Sequence, residues 1–250
     1  MIDLELEGRT AIVTGASRGL GRAAAEALHE QGVNILAAAR SSDQLEELAA
    51  RDPARIEAVQ CDMQDAAAVA RLPAKAIQRF GRIDIVVNNA GIAPAGKFVE
   101  QDDALWQKVM AVNVIGPAAL ARAAGVHMLE QGSGKIINIA STSGILGKPI
   151  LVAYSSSKGA LLQMTKALAA EWASKGVQVN AIAPGAFETD AQRAVLESPE
   201  ILKRRLAKIP QHRMGEPAEI GPLVCYLASP KSSFITGSVC VIDGGESSKL

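Results

Sequence analysis

The amino-acid sequence predicts an α/β fold, a doubly wound parallel sheet of about seven strands with helices on both faces. Short runs rich in Val and Ile alternate along the chain with amphipathic stretches of helical length. Apolar residues make up 48% of the 250 residues and aromatic residues only 3%, which suits helices packed closely on a parallel sheet. No repeat or composition break divides the chain, so one domain over residues 1–250 is predicted.

The predicted strands are the short apolar runs at residues 10–15, 33–39, 56–62, 83–91, 135–141, 177–184 and 238–243. Parallel neighbours require crossover connections, and a helical pattern fills each interval. Helices are predicted over 19–32 (with Gly32 as the C-cap), near 42–51, over about 65–80, over about 101–130 with a bend near Gly116-Pro117, over 154–175 and over 217–228. The charged stretch 188–208 is also predicted to be helical.

Composition excludes several classes of function. Lys plus Arg and Asp plus Glu are 26 each, so neither a nucleic acid nor an acidic membrane is an expected partner. Cys61, Cys225 and Cys240 are distant from each other, as reduced thiols of a cytoplasmic protein would be. The acidic N-terminus lacks the features of a signal peptide, and no uninterrupted apolar run approaches the roughly 18 residues of a membrane span. A cytoplasmic protein is expected.

Metal and hydrolase chemistry are not predicted either. His29, His127 and His212 are isolated, and no Cys/His cluster has the spacing of metal ligands. The sequence has no GxSxG elbow and no P-loop.

A glycine-rich turn, "TGASRGLG" (14–21), links the first strand to the first helix. Gly15, Gly19 and Gly21 would permit a tight turn and close approach of a pyrophosphate, which the helix N-terminus attracts. The spacing GxxxGxG differs from the common dinucleotide pattern GxGxxG. A turn needed only for packing is the alternative.

Two arginines bear on which dinucleotide would bind. An acidic residue at the end of the second strand binds a ribose 2′-hydroxyl, whereas Arg there suits a 2′-phosphate. This strand ends at Ala39-Arg40, the first carboxylate is Asp43, and Arg18 lies within the glycine turn. NADP(H) is therefore favoured over NAD(H), with two solvated surface arginines as the alternative.

A tyrosine and a lysine stand four residues apart in "YSSSK" (154–158), one turn apart on a predicted helix. Alone, Tyr154 and Lys158 would more often be a buried tyrosine with a lysine whose stem packs along the helix. Ser141, thirteen residues earlier at the carboxyl edge of the sheet, makes a catalytic interpretation stronger.

Four ordered signatures together resemble those of the compact, roughly 250-residue short-chain dehydrogenases/reductases, from about residue 7 to Gly245. They are "TGASRGLG" (14–21), "NNAG" (88–91), Ser141 before "YSSSK" (154–158), and "PGAFET" (184–189). The resemblance implies a Rossmann-like fold and an NAD(P)H-dependent oxidoreductase that interconverts a carbonyl and a secondary alcohol. It also implies a homotetramer with an interface formed by 101–130 and 154–175.

The resemblance further implies specific site residues. A catalytic tetrad would consist of Asn113, Ser141, Tyr154 and Lys158. Asp62 and Met63 would border the adenine, and Thr189 would lie near the nicotinamide carboxamide. The expected cofactor contacts are Gly15, Ser17, Arg18, Gly19, Leu20, Gly21, Arg40, Asp62, Met63, Asn89, Ala90, Gly91, Tyr154, Lys158, Pro184, Gly185 and Thr189.

The chemistry explains why this family needs such residues. Reduction of a carbonyl leaves an alkoxide that needs a proton, and a phenol with pKa near 10 is a poor base at neutral pH. An ammonium about 5 Å away contributes roughly 3 kcal/mol, enough to lower the pKa of Tyr154 by about two units. Ser141 would hold the carbonyl oxygen, and Asn113, by resemblance, would support a water next to Lys158.

The substrate pocket is expected along 92–98, 142–151 and 185–208, with a helical lid at about 188–210. Lys97 and Lys148 are candidate anchors for an anionic group. A pair of solvated helices is the alternative to the lid.

Several functions stay open at this stage. β-Ketoacyl carrier-protein reductases usually carry a basic patch before the fifth strand, and here "LEQGSGK" (129–135) offers only Lys135. Sugar acids, steroids and small ketones are the other substrate classes considered. A non-catalytic NADP-binding scaffold or sensor is the alternative to an enzyme.

Overall fold

A computed structural model describes residues 3–248 and confirms the α/β fold class. Seven strands form one parallel sheet in the order β3-β2-β1-β4-β5-β6-β7. The strands are β1 (Thr10–Thr14), β2 (Asn34–Ala39), β3 (Ile56–Gln60), β4 (Ile85–Asn88), β5 (Gly134–Ile139), β6 (Val177–Pro184) and β7 (Val239–Ile242). The strand order reverses direction between β1 and β4, and such a switch point opens a crevice beyond the carboxyl ends of the strands.

Helices cover both faces of this sheet. They are α1 (Gly19–Glu30), α2 (Ser42–Ala49), α3 (Ala66–Ala70), α4 (Leu72–Phe80), α5 (Asp103–Met110), α6 (Gly116–Glu130), α7 (Ser143–Leu146), α8 (Val152–Trp172), α9 (Arg193–Leu196), α10 (Pro199–Leu206) and α11 (Gly221–Ala228). Alternation along β1 separates the two apolar layers, because Ala11 and Val13 face one layer and Ile12 faces the other. The sheet thus forms a rigid base for the loops at its carboxyl edge.

The predicted elements differ from the structure in their boundaries. The helix predicted over 65–80 is two helices, which meet at Arg71, and Pro73 occupies the first turn of the second. The bend expected near Gly116-Pro117 is instead a π-helical turn at Ala111–Ile115, immediately before those residues. The short α7 was not predicted. Because β4 and β5 end earlier than predicted, the "NAG" tripeptide and Ser141 lie in the loops beyond them.

One helical stretch, Asp103–Glu130, is long and apolar enough to cross a membrane by length and composition alone. Just over half of its most apolar window, 56%, is buried inside the fold. A helix that packs in the core of a protein passes the same test, so this finding is weak support for a membrane span.

Lys135 is a buried cation at the start of β5. Its side chain is 7% exposed, and Nζ donates a hydrogen bond to Oγ of Ser232 at 3.2 Å. Burial lowers the pKa of Lys135 from 10.5 to about 8, because removal from water disfavours the ammonium. The residue is therefore unavailable to a docking partner and costs the fold stability at neutral pH.

We expect Lys135→Met to raise the free energy of unfolding at pH 7 by about 1–3 kcal/mol. Between pH 8 and 10.5 the unfolded chain binds more protons at Lys135 than the folded chain does. The free energy of unfolding of the wild type therefore rises with pH in this range. The advantage of the variant should accordingly shrink across that window. Urea unfolding at pH 7 and pH 10 measures both values, and a variant less stable than wild type at pH 7 would contradict the expectation.

Candidate active site

A cleft of about 900 Å³ opens at the carboxyl edge of the sheet. The predicted cofactor contacts all line it, except Gly21, and so do three members of the predicted tetrad: Ser141, Tyr154 and Lys158. Asn113, the fourth member, lies behind the cleft wall. Motif residues as far apart in the sequence as Gly15 and Thr189 thus meet in one space.

The glycine turn has the shape expected for a phosphate cradle. Gly15 and Gly19 have φ of 67° and 57°, a conformation that favours glycine. A Cβ on Gly21 would lie 2.3 Å from both Nδ2 of Asn89 and the carbonyl oxygen of Gly15. No side chain caps the N-terminus of α1, so its first amides are free to bind an anion. These features fit the pyrophosphate of a dinucleotide.

Thr14 and Asn89 hold this turn against the loop after β4. Thr14 Oγ1 accepts hydrogen bonds from the backbone amides of Asn89 (3.0 Å) and Ala90 (3.1 Å). Nδ2 of Asn89 donates to the carbonyl oxygen of Thr14 at 2.9 Å. Sequence reasoning gave no role to Thr14, although its hydroxyl directly precedes the first glycine of the motif.

The two arginines at the other end of the cleft differ in their surroundings. Arg18 forms an ion pair with Asp190 at 3.4 Å, and both side chains are largely exposed. Arg40 is exposed and has no ion-pair partner within residues 3–248. Asp62 and Met63 line the cleft beside it, and Asp62 accepts a hydrogen bond from the amide of Gln64 at 2.9 Å. The free guanidinium of Arg40 fits a 2′-phosphate.

Ser141 and Tyr154 lie beside each other in the cleft. Ser141 lies two residues beyond β5, where its Oγ accepts a hydrogen bond from the amide of Ser143 at 3.1 Å. Burial raises the pKa of Tyr154 above 10.0, and a side-chain hydrogen bond with Ser141 partly offsets this rise. The phenol is therefore protonated at neutral pH and can donate a proton.

Lys158 is a deeply buried ammonium group beneath this tyrosine. Its side chain is 3% exposed, Nζ donates to the carbonyl oxygen of Ile139 at 2.7 Å, and Nζ lies 5.8 Å from the centroid of the Tyr154 ring. Burial lowers the pKa of Lys158 to about 8. The expectation of a lowered Tyr154 pKa was wrong for this structure, because burial of the phenol is the largest influence on this pKa and raises it.

Asn113 is fully buried in the π-helical turn and makes three hydrogen bonds of 2.9 Å. Oδ1 accepts from the amide of Ile92, while Nδ2 donates to the carbonyl oxygen of Ile92 and to Oγ of Ser157. Ser157 in turn donates to the carbonyl oxygen of Tyr154 at 2.7 Å. Asn113 thus ties the loop after β4 to the first turn of α8. Its role in holding a water stays a prediction.

Sequence reasoning missed Ser157 because its contacts join three separate segments. A second close approach is equally hidden in the sequence: a Cβ on Gly144 would lie 2.7 Å from the carbonyl carbon of Lys158. Gly144 therefore lets α7 pack directly on α8, next to the lysine. Both residues are small and buried or half-buried, and only the packing of the helices shows why they are needed.

The substrate end of the cleft contains part of each predicted segment. Residues lining it include Ile92, Ala95, Ser143, Lys148, Ile150, Phe187, Arg193, Val195 and Arg205. Lys148 lines the cleft, but Lys97 does not. Lys97 is exposed and pairs with Glu100 at 3.2 Å, so its predicted role as an anchor was wrong. The 188–208 stretch is helical and borders the cleft, and its function as a lid stays a prediction.

A network of charges at this end was not predicted. Arg205 of α10 binds Glu246 with both terminal guanidinium nitrogens, one of them at 2.7 Å. The pair is separated by 41 residues, so no local pattern could have found it. Among residues 3–248, no group of three or more His, Cys, Asp or Glu side chains is placed to hold a metal ion.

Comparison with known proteins agrees with this geometry. The family described as Enoyl-(Acyl carrier protein) reductase matches residues 15–247. A galactitol 2-dehydrogenase (L-tagatose-forming) of Cereibacter sphaeroides is 42% identical over 96% of this chain and 95% of its own length. A 2-dehydro-3-deoxy-D-gluconate 5-dehydrogenase of Pseudoalteromonas atlantica is 40% identical, covering 96% of each chain.

Solved structures give the same result. A gluconate 5-dehydrogenase from Burkholderia cenocepacia J2315, in complex with NADP and tartrate, is 34% identical. It superimposes with a TM-score of 0.94 over 99% of this chain and 98% of its own. The sheet order, the cleft and these relatives lead to one conclusion: the chain belongs to the short-chain dehydrogenase/reductase family.

Proposed function

We propose that this oxidoreductase interconverts a secondary alcohol and a carbonyl of a small polyhydroxylated substrate, with NADP(H) as its preferred cofactor and Tyr154 as general acid and base. The chain is a nicotinamide-dependent oxidoreductase of CH-OH and C=O groups, as members of its family are. The observation that carries the finer proposal is the meeting of Ser141, Tyr154 and Lys158 in the cleft that the glycine turn borders. The relatives that act on galactitol and on a sugar acid support a polyhydroxylated substrate.

When bound, the nicotinamide cofactor supplies the hydride for reduction or accepts it in oxidation. Tyr154 donates its phenolic proton to the carbonyl oxygen during reduction and removes a proton from the alcohol in the reverse direction. Ser141 holds the same oxygen, since its hydroxyl lies in the cleft beside the Tyr154 phenol. Lys158 stabilises the phenolate. Its ammonium group donates one hydrogen bond to the carbonyl oxygen of Ile139 and would donate others to the cofactor ribose. The raised pKa of Tyr154 keeps the phenol protonated at neutral pH, which is the form that donates the proton in reduction.

The carrier-protein reductase alternative has a structural argument against it. The matching family description names an acyl carrier protein, although for an enoyl substrate and not for a ketoacyl one. However, Lys135, the only basic residue of the 129–135 segment, lies at the start of β5, where it is buried and donates a hydrogen bond to Ser232. No cation of this segment is therefore presented to an acidic carrier.

We also propose that the protein is a cytoplasmic homotetramer. Ile115 and Val126 are 53% and 62% exposed, and at eleven residues apart they lie on one side of the helical stretch 101–130. This apolar side supports the predicted interface with 154–175 of another subunit. Sedimentation velocity measures the assembly directly.

A turnover screen tests the proposed function. Purified enzyme is offered ketoses, keto acids, polyols and sugar acids with NADPH, NADH and their oxidised forms, and the change in NAD(P)H absorbance is followed. Turnover with NADPH and a polyhydroxylated ketone is expected. Tight NADPH binding without turnover on the whole panel would instead support the non-catalytic scaffold or sensor.

Arg40→Ala is expected to raise the Kd for NADPH about 10- to 100-fold and to leave the Kd for NADH nearly unchanged, because only NADPH carries the 2′-phosphate. Fluorescence titration with each cofactor measures both constants. Arg51→Ala is a matched control, since Arg51 is similarly exposed but pairs with Glu26 outside the cleft. An unchanged cofactor preference in Arg40→Ala would remove this residue from 2′-phosphate recognition.

A further inference from the structure

Lys148 is a half-buried cation that lines the substrate end of the cleft. Its side chain is 29% exposed, and its nearest charged partner is Glu246, with Nζ 3.9 Å from Oε1. That distance is too long for a hydrogen bond. Across residues 3–248 Nζ donates no hydrogen bond to the protein, so the ammonium group can still bind a ligand in the cleft.

The two carboxylates near Lys148 are already occupied by other donors. Arg205 binds both oxygens of Glu246. The oxygens of Asp243 accept backbone amides of Gly245 at 2.8 Å and Ser247 at 2.7 Å. The ammonium group of Lys148 therefore interacts with the charges of both carboxylates but forms no hydrogen bond with either of them.

The charged side chains at and around Lys148 carry one more positive charge than negative charges. Lys148, Arg205 and Lys208 contribute three positive charges, and Glu246 and Asp243 contribute two negative charges. A single negative charge on a ligand would balance the group. A neutral hydroxyl would leave the excess in place.

The loop that carries Lys148 is held in a fixed and strained conformation. Ile150 has φ of 59°, an unusual value for a β-branched residue. Its carbonyl oxygen accepts a hydrogen bond from Gly96 at 2.9 Å, and the amide of Lys148 donates to Oγ of Ser155 at 3.2 Å. Because Ser155 is the residue after Tyr154, the lysine is set at a defined place relative to the catalytic tyrosine. Such strain is typical of functional sites.

We propose that Lys148 binds the carboxylate of the substrate, so that the enzyme prefers hydroxy and keto acids to neutral polyols and ketoses. This inference rests on the proposed function and specifies its substrate class. Arg205 and Glu246 act as positioning residues. Because the guanidinium of Arg205 binds the carboxylate of Glu246, this carboxylate does not form a hydrogen bond with Lys148. The reacting carbon lies near Tyr154, and the carboxylate lies toward the 143–151 loop.

Equilibrium titration of the enzyme–NADPH complex tests the carboxylate site without turnover. The probes are D-gluconate and D-glucitol, which share their carbon chain and differ only in a carboxylate or hydroxymethyl group. Gluconate is expected to bind about 10- to 100-fold more tightly than glucitol to the wild type. In Lys148→Gln the ratio should fall close to one, whereas in Lys97→Gln, the exposed control outside the cleft, it should persist.

The outcomes separate this inference from the proposed function. Equal binding of the two probes to the wild type, or a ratio that survives in Lys148→Gln, would overturn the carboxylate site whether or not the enzyme turns over. Loss of binding of NADPH by Lys148→Gln would also count against it, because the lysine would then serve the cofactor. Failure of the turnover screen overturns the proposed function alone. Thermal unfolding of both variants establishes that they are folded.

Discussion

Tyr154→Phe is expected to lower kcat by about 10²- to 10⁴-fold, while the Kd for NADPH stays within about twofold of wild type. The substitution removes one hydroxyl, and with it the proton that reduction requires. The ring and its contact with Lys158 remain, so the fold and the cofactor end of the cleft should be preserved. Stopped-flow turnover and NADPH titration measure the two effects separately.

The chain offers a matched control for this variant. Tyr226 is the only other tyrosine, 40% exposed on α11 and absent from the cleft lining. Tyr226→Phe should leave kcat unchanged. If Tyr154→Phe retained more than about a tenth of wild-type kcat, another group would have to supply the proton, and the assignment of Tyr154 would be wrong.

Lys158→Met should have an effect on both chemistry and cofactor binding. We expect kcat/KM to fall at least about 10²-fold and the Kd for NADPH to rise about tenfold, because a buried cation beside the phenol and the ribose is lost. Methionine has a similar length and lacks the charge, so packing beneath Tyr154 is disturbed little.

The pH profile of kcat/KM distinguishes a catalytic role for Lys158 from a structural one. With a pKa of about 8, the ammonium of the free enzyme is present below this pH and is lost as pH rises through it. Wild-type activity should therefore decline above pH 8, and this limb should be absent in Lys158→Met. Lys166→Met, an exposed site two turns further along α8, is the control. An unchanged profile in Lys158→Met would contradict the assignment.

The sequence predicted most of the fold because its signals are local. Alternating apolar runs and glycines at turns depend on near neighbours only; Gly32, predicted as the C-cap of α1 and with φ of 81°, lies one residue beyond the actual C-cap, Gln31. At the cofactor end of the cleft, local signals predicted the glycine turn and Arg40, and the family resemblance implied the other contacts. The α/β class needed no knowledge of packing.

Contacts between segments that are distant in the sequence decide which lysine lines the cleft and how deeply Tyr154 is buried. The sequence could not predict either of these features. Lys97 and Lys148 both lie in fairly apolar loops, and nothing local distinguishes them. A hydrogen bond between Gly96 and Ile150 joins the two loops, and of the two lysines only Lys148 lines the cleft. The pKa of Tyr154 likewise depends on how many atoms surround the phenol, which spacing along a helix does not determine.

The π-helical turn at Ala111–Ile115 has a consequence for how this protein tolerates insertions and deletions. Such a turn holds one more residue than an α-helical turn, and the surplus is absorbed locally. Loss of a single codon within it would let α5 and α6 join as one regular helix, with their buried faces still in register. The surplus position is where Asn113 reaches Ile92 and Ser157. A one-residue deletion here should therefore give a folded protein in which α8, the helix that carries Tyr154 and Lys158, is no longer tied to the loop after β4.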